Sequence, residues 1–167
     1  IEDATGDPSQ PIYDFNLAVE RVHAAVEAKP TEDFIITARA ENLIYGVEDL
    51  EHTVRRLIAF EQAGADVLYA PGLPDYEAVK IVCAAVSQPV NVVVGLSDTT
   101  YTVENLSKAG VRRISTGGSL ARAALGEMVR AARELNEQGT YHYAERAISD
   151  SEAAATMRQV KRVPFTN

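Results

Sequence analysis

Short apolar runs alternate along this chain with longer stretches of helical period, and the order repeats. Phe15, Ala18, Val19, Val22, Ala25 and Val26 recur at three- and four-residue intervals, which predicts a helix from about Asp14 to Ala28. Asp33-Phe34-Ile35-Ile36-Thr37-Ala38 is short, β-branched and continuous, the pattern of a strand buried on both faces. Val47, Leu50, Val54, Leu57, Ile58 and Glu61 outline a second helix, and Gly64 is placed to stop it in a left-handed cap. Next come a strand at Asp66–Tyr69, a Pro71-Gly72 loop and a helix from about Asp75 to Val86. Pro89–Val94 and Arg112–Ser115 read as further strands around a helix from about Thr102 to Lys108. Ala121, Ala124, Leu125, Met128, Val129, Ala132 and Leu135 line a long helix, and Ser149, Asp150 and Ser151 are candidate N-caps for a last one reaching about Val160.

The opening Ile1-Glu2-Asp3 runs an apolar residue straight into two carboxylates and reads as the end of a strand. It makes five strands with the others. Glu61-Gln62-Ala63-Gly64-Ala65-Asp66-Val67 is echoed by Ser107-Lys108-Ala109-Gly110-Val111-Arg112-Arg113, each a helix end leading into a strand. Strands alternating with helices imply a parallel sheet. The α/β reading is therefore a partial (β/α)8 TIM barrel, about strands 4 to 8, with about three βα units expected before Ile1. Residues 1–140 are assigned to the barrel units, and 141–167 to an extension carrying the last helix. A five-stranded doubly wound sheet is the alternative; it is weakened because no Gly-rich phosphate loop follows the first strand.

Charge narrows the partners. The net charge of −8, with basic residues in scattered pairs, argues against nucleic acid, because nothing would replace the counterions of a phosphate backbone. No apolar run reaches the roughly 18 to 20 residues of a membrane span. A single cysteine, Cys83, fits a reducing compartment, so the cytoplasm is the expected location. It reads as a small core residue, and His23, His52 and His142 as solvated surface.

In a barrel, chemistry sits at the C-terminal ends of the strands. Glu2-Asp3 at such an end suits a hard divalent cation that keeps several waters, or else a loop or capping role. Arg39-Ala40-Glu41 offers a planar fork for a substrate carboxylate, with Glu41 placed to hold that fork or handle a proton; the alternative is a structural ion pair. Asn91 is a candidate pocket residue within its strand. The amides of Gly117 and Gly118 before the long helix are either an anion seat or a tight turn.

Together these residues resemble a known family. Ile1-Glu2-Asp3, then Ile36-Thr37-Ala38-Arg39-Ala40-Glu41, Ala63-Gly64-Ala65-Asp66 and Arg113-Ile114-Ser115-Thr116-Gly117-Gly118 resemble the isocitrate lyase / phosphoenolpyruvate mutase superfamily over nearly the whole chain. The resemblance implies that Mg2+ binds the enolate or carboxylate of a small 2-oxo acid. It implies that Glu2 holds the metal's water shell and that Arg39 binds the substrate carboxylate. The principal ligands, an Asp-x-Asp, would lie before Ile1. It also implies a homodimer with an exchanged C-terminal helix, commonly paired into a homotetramer; Ala153, Ala154, Met157 and Val160 form a face that needs a partner.

Departures from the pattern narrow the activity. Where the isocitrate and methylisocitrate lyases carry a Lys-(Lys/Arg)-Cys-Gly-His loop, this chain reads Ala4-Thr5-Gly6-Asp7-Pro8-Ser9-Gln10-Pro11. It also lacks the phosphonomutases' lysine- and asparagine-bearing loop, and Ala70-Pro71-Gly72-Leu73 replaces a glutamate of the methylisocitrate enzymes. The expectation is a Mg2+-dependent lyase cleaving a C–C bond, as in an oxaloacetate decarboxylase. Phosphonomutase or phosphonopyruvate hydrolase chemistry, and a non-catalytic truncated barrel, are the alternatives.

Overall fold

Strand pairing in the computed structural model, which describes residues 1–95 and 100–158, follows the predicted alternation. Four strands, β1 (Thr37–Arg39), β2 (Val67–Tyr69), β3 (Val90–Val93) and β4 (Arg113–Ser115), form a parallel sheet in chain order. The helices are α1 (Phe15–Glu27), α2 (Leu50–Gln62), α3 (Tyr76–Ala85), α4 (Val103–Lys108), α5 (Ser119–Gln138) and α6 (Asp150–Thr156), with 3-10 turns at Asn42–Tyr45 and His142–Arg146. The expected fifth strand is a single parallel bridge, Glu2 beside Arg39. Around it Arg39 N donates to Ile1 O at 2.9 Å and Asp3 N to Arg39 O at 3.3 Å.

The chain divides into two compact units, Ile1–Ser119 and Leu120–Asn167. In the first, Ala38, Leu68 and Val90 of the sheet pack with Leu57, Phe60, Val79 and Val82 of α2 and α3. In the second, Glu134 anchors the turn after α5 by accepting from Thr140 Oγ1 at 2.7 Å and His142 N at 2.6 Å. Ser149 caps α6 in a capping box with Glu152. The helix expected to reach Val160 ends at Thr156, and Val160 lies outside the described residues.

The sequence echo is a repeated joint. Gly64 N donates to Glu61 O and Ala65 N to Phe60 O; Gly110 N donates to Ser107 O and Val111 N to Leu106 O. Both are Schellman endings, which require the left-handed φ values of +96° at Gly64 and +99° at Gly110. Each ending delivers the chain directly into a strand, β2 after Gly64 and β4 after Gly110.

Two expectations are corrected. The run Asp33–Ala38 is strand only from Thr37, and Phe34 and Ile35 are 51% and 58% exposed. Pairing with β2 begins at Thr37, and the preceding turn is held instead by Asp66, whose Oδ2 accepts from Ile36 N at 2.7 Å. The buried stripe of α2 is Thr53, Arg56, Leu57 and Phe60, displaced from the purely apolar set. Glu61 leaves that stripe to accept the N–H groups of Ser87 and Gln88, both at 2.8 Å, ahead of β3.

Candidate functional site

Adjacent residues of a strand point to opposite faces of its sheet, and this separates the two carboxylates at the start of the chain. Asp3 faces the helices. It is 3% exposed, with Oδ2 at 2.9 Å from Arg56 Nη1 of α2 and Oδ1 accepting from Glu41 N at 2.7 Å. Burial pushes its carboxyl up, against the Glu41 hydrogen bond and the Arg56 charge, which pull it down. The expectation of Asp3 as a metal ligand is thereby corrected: both oxygens are engaged inside the core, on the side away from the opposite face. Arg56 completes its own shell by donating to Tyr13 O at 2.8 Å and to His52 Nε2 at 3.3 Å. His52 is accordingly half-buried and not solvated surface.

Glu2 faces the other way, into a row set by strand register. Glu2 lies beside Arg39, Arg39 beside Tyr69, Tyr69 beside Asn91, and Asn91 beside Arg113. In-register neighbours in a parallel sheet share a face, so these five side chains project together. Arg39 is the best-braced of them. Its Nε donates to Glu41 Oε1 at 2.7 Å, its Nη1 lies 3.3 Å from Glu2 Oε2, and its guanidinium stacks 4.9 Å from the centroid of the Tyr69 ring. Burial works against the Arg39 charge, but the Glu41 hydrogen bond and the two carboxylates outweigh it and hold the group protonated. Burial also raises Glu41, more than Arg39 lowers it, and raises the Tyr69 phenol.

The segment carrying Arg39 and Glu41 is fixed from beneath. Asn42, fully buried, exchanges hydrogen bonds with Thr53 Oγ1 and donates to Val47 O at 3.0 Å. With Asp3 gripping Glu41 N, the Arg39 fork is positioned by a rigid turn at the C-terminal end of β1. Beyond it lies a cavity of about 440 Å³ lined by Arg39, Tyr69, Pro71, Gly72, Val93 and Gly95, among others. Arg39 Nη2 has no protein partner among the described residues, and a planar carboxylate fits there.

The other expected residues divide. Asn91 belongs to the row: it is 1% exposed, accepts from Arg113 Nη1 at 2.7 Å and donates to Ser115 Oγ at 3.1 Å. Gly117 and Gly118 follow β4 at the same end of the sheet, in a turn closed by Ser119 N donating to Thr116 O at 3.0 Å, with φ +52° at Gly117. Among the described residues no hydrogen bond joins them to Arg39 or Asn91. Tyr69, Arg56 and Arg113 are the residues that pattern reading passed over. Their only signal was position: Arg56 one helical turn from Thr53 and Phe60, and Tyr69 and Arg113 at strand ends.

A hard cation finds a limited donor set. Among the described residues no group of three or more His, Cys, Asp or Glu side chains could hold a metal. Glu41 is taken by Arg39 and Asp3 by Arg56, which leaves Glu2, half-exposed, as the one rim carboxylate of the predicted pair. A single carboxylate with open solvent beside it fits contact with a hydrated Mg2+, which keeps several of its waters.

Comparison with known proteins identifies the family. The chain is 32% identical over 96 residues to 2-methylisocitrate lyase of Escherichia coli (strain K12), covering 54% of this chain and 32% of the relative. It is 34% identical over 88 residues to oxaloacetate decarboxylase of Paraburkholderia xenovorans (strain LB400), covering 52% and 28%. The chain thus spans about a third of the length of these relatives. The crystal structure of a candidate lyase/mutase from Burkholderia cenocepacia J2315 superposes with a TM-score of 0.89 at 44% identity, over 95% of this chain and 58% of that one. A phosphonopyruvate hydrolase in complex with oxalate and Mg2+ shares the fold, with a TM-score of 0.76 at 22% identity over 93% and 56%. The model of the phosphoenolpyruvate phosphomutase family matches residues 1–136, and the chain belongs to that family, within the isocitrate lyase / phosphoenolpyruvate mutase superfamily.

Proposed function

We propose that Arg39 and its two carboxylates form the substrate-carboxylate seat of a Mg2+-dependent carbon–carbon lyase acting on a small 2-oxo acid. The observation that carries the reading is the bracing of Arg39: a guanidinium held at 2.7 Å by Glu41 and 3.3 Å by Glu2, stacked on Tyr69, at the mouth of a cavity. An arginine so fixed is already oriented to receive a carboxylate at its open Nη2 in a charge-assisted hydrogen bond. A substrate this small offers little apolar area, so charge pairing supplies most of its affinity.

Glu2 is the residue that would hold a hydrated Mg2+, through the cation's water. When bound, the cation supplies Lewis-acid stabilisation of negative charge on a substrate oxygen, worth several kcal/mol. The chain's own residues do the rest. Arg39 orients the acid so that the bond to be broken is presented to the cavity. Glu41 holds Arg39 in that pose. Tyr69, its phenol held protonated by burial, closes one wall. The relatives named as oxaloacetate decarboxylase and 2-methylisocitrate lyase support carbon–carbon cleavage. The hydrolase that binds oxalate and Mg2+ supports a small anionic ligand beside a divalent ion.

The test is turnover of the full protein with oxaloacetate and with phosphonopyruvate, each with Mg2+ and with EDTA. Mg2+-dependent release of pyruvate from oxaloacetate is the expected result. Turnover of phosphonopyruvate alone would replace the lyase by phosphonate chemistry, and turnover of neither would contradict the reading.

A further inference from the structure

The sheet carries a second guanidinium on the face and at the level of Arg39. Arg113 stands three strands away in the same register row, its Nη1 donating to Asn91 Oδ1 at 2.7 Å. Asn91 is 1% exposed and pinned on its other side by Ser115 Oγ, so the amide is a fixed bracket rather than a loose surface partner. The two arginines differ in charge balance. Arg39 is flanked by Glu2 and Glu41, whereas Arg113 has no carboxylate partner among the described residues. Arg113 is exposed. Between them stands Tyr69, whose phenol feels both positive charges, each opposing the rise that burial causes. Strands lie about 4.8 Å apart, so the two backbones are separated by roughly 14 Å along the sheet, with β2 and β3 between them; Arg39 stacks on Tyr69 of β2 and Arg113 reaches Asn91 of β3.

We propose that Arg113, held by the positioning residue Asn91, receives the second anionic group of a substrate whose first carboxylate sits on Arg39. The site then selects dianions, carrying a distal carboxylate or phosphonate, over monocarboxylates such as pyruvate. This rests on the 2-oxo acid reading of Arg39 and adds the determinant of selectivity. An exposed guanidinium held by a buried amide is a positioned donor for an anionic group of a ligand. A charge-assisted hydrogen bond to it contributes enough for roughly tenfold to a hundredfold in affinity.

The experiment is calorimetric titration of the full protein, with Mg2+, by pyruvate, L-malate and phosphonopyruvate. Wild type is expected to bind at least one dianion more tightly than pyruvate. Arg113→Gln is expected to weaken that dianion by about tenfold or more and pyruvate by less than about twofold. Loss with malate identifies a distal carboxylate, and loss with phosphonopyruvate a phosphonate. Arg113→Lys, which keeps the charge and loses the fork, is expected to restore part of the preference, and it decides the matter should the Gln variant fail to fold. Equal weakening of all three probes, or none, overturns the proposal. Arg39→Ala provides the separate control: unchanged pyruvate binding in that variant overturns the reading of Arg39, whatever Arg113 does.

Discussion

Glu2 and Asp3 are neighbours in sequence with the same functional group, and the fold gives them opposite work. Asp3 is sealed against Arg56 in the core, where its charge is compensated by one guanidinium and one backbone N–H. Glu2, one residue earlier, stands half-exposed beside Arg39, where its charge is available to a ligand. Strand alternation makes the choice, and burial then decides what each carboxylate can do. The buried pair supports the exposed one: Asp3 holds Glu41 N, and Glu41 holds Arg39. The buried ion pair and the one at the sheet's rim are thus linked through a single backbone amide.

Breaking the buried side should cost most. Asp3→Ala strands the Arg56 charge in the core and is expected to destabilise the protein by about 3–5 kcal/mol, measured by urea unfolding. The double variant Asp3→Leu/Arg56→Met should recover most of that loss, since it removes both charges together. An Asp3→Ala variant as stable as wild type would place the pair outside the folding energetics.

On the exposed side the effects should appear in activity. Glu41→Gln keeps the shape but weakens the grip on Arg39 Nε, and kcat/KM for oxaloacetate is expected to fall about tenfold to a hundredfold with a small change in unfolding midpoint. Glu2→Gln should act on the cation, raising the Mg2+ concentration needed for half-maximal activity by roughly tenfold while leaving the midpoint unchanged. An unaltered Mg2+ requirement would remove Glu2 from the cation's surroundings.

The smallest effect is a pH dependence. The Ile36 N–H bond first, and then Lys29 at 3.0 Å, hold Asp66 below the ordinary aspartate range. A lowered folded value means that its stabilisation is present above the unfolded aspartate pKa and is lost as pH falls through the folded one. Asp66→Asn should therefore flatten the acid limb of stability between about pH 4 and pH 2, followed by urea midpoints. Burial shifts Asp3 the opposite way, so its contribution weakens as pH rises above the ordinary aspartate value. An acid limb unchanged in Asp66→Asn would assign it to other carboxylates.

Much of the fold could be read from the chain, because its signals are local. Ala63-Gly64-Ala65 and Ala109-Gly110-Val111 announce Schellman endings through the one residue type that accepts their φ values. Arg39-Ala40-Glu41 announces a site because charge at the end of a buried strand has few other uses, and Arg39 and Glu41 do meet at 2.7 Å. What escaped depends on pairing. The contiguity of Glu2 and Asp3 suggests a cluster, whereas the strand's period of two separates them. Phe34 and Ile35 look like strand, but the sheet's register begins at Thr37. Tyr69 and Arg113 acquire meaning only when register aligns them with Arg39 and Asn91, and no spacing along one chain reveals that row. Arg56 lies on a buried stripe with its counter-charge supplied by Asp3 from 53 residues away.

The most direct test of the central claim is Arg39→Ala in the full protein, assayed with oxaloacetate and Mg2+ alongside its thermal unfolding. The account predicts a fall in kcat/KM of about a hundredfold to a thousandfold with an unchanged melting temperature. Near wild-type kcat/KM in a folded variant would contradict it.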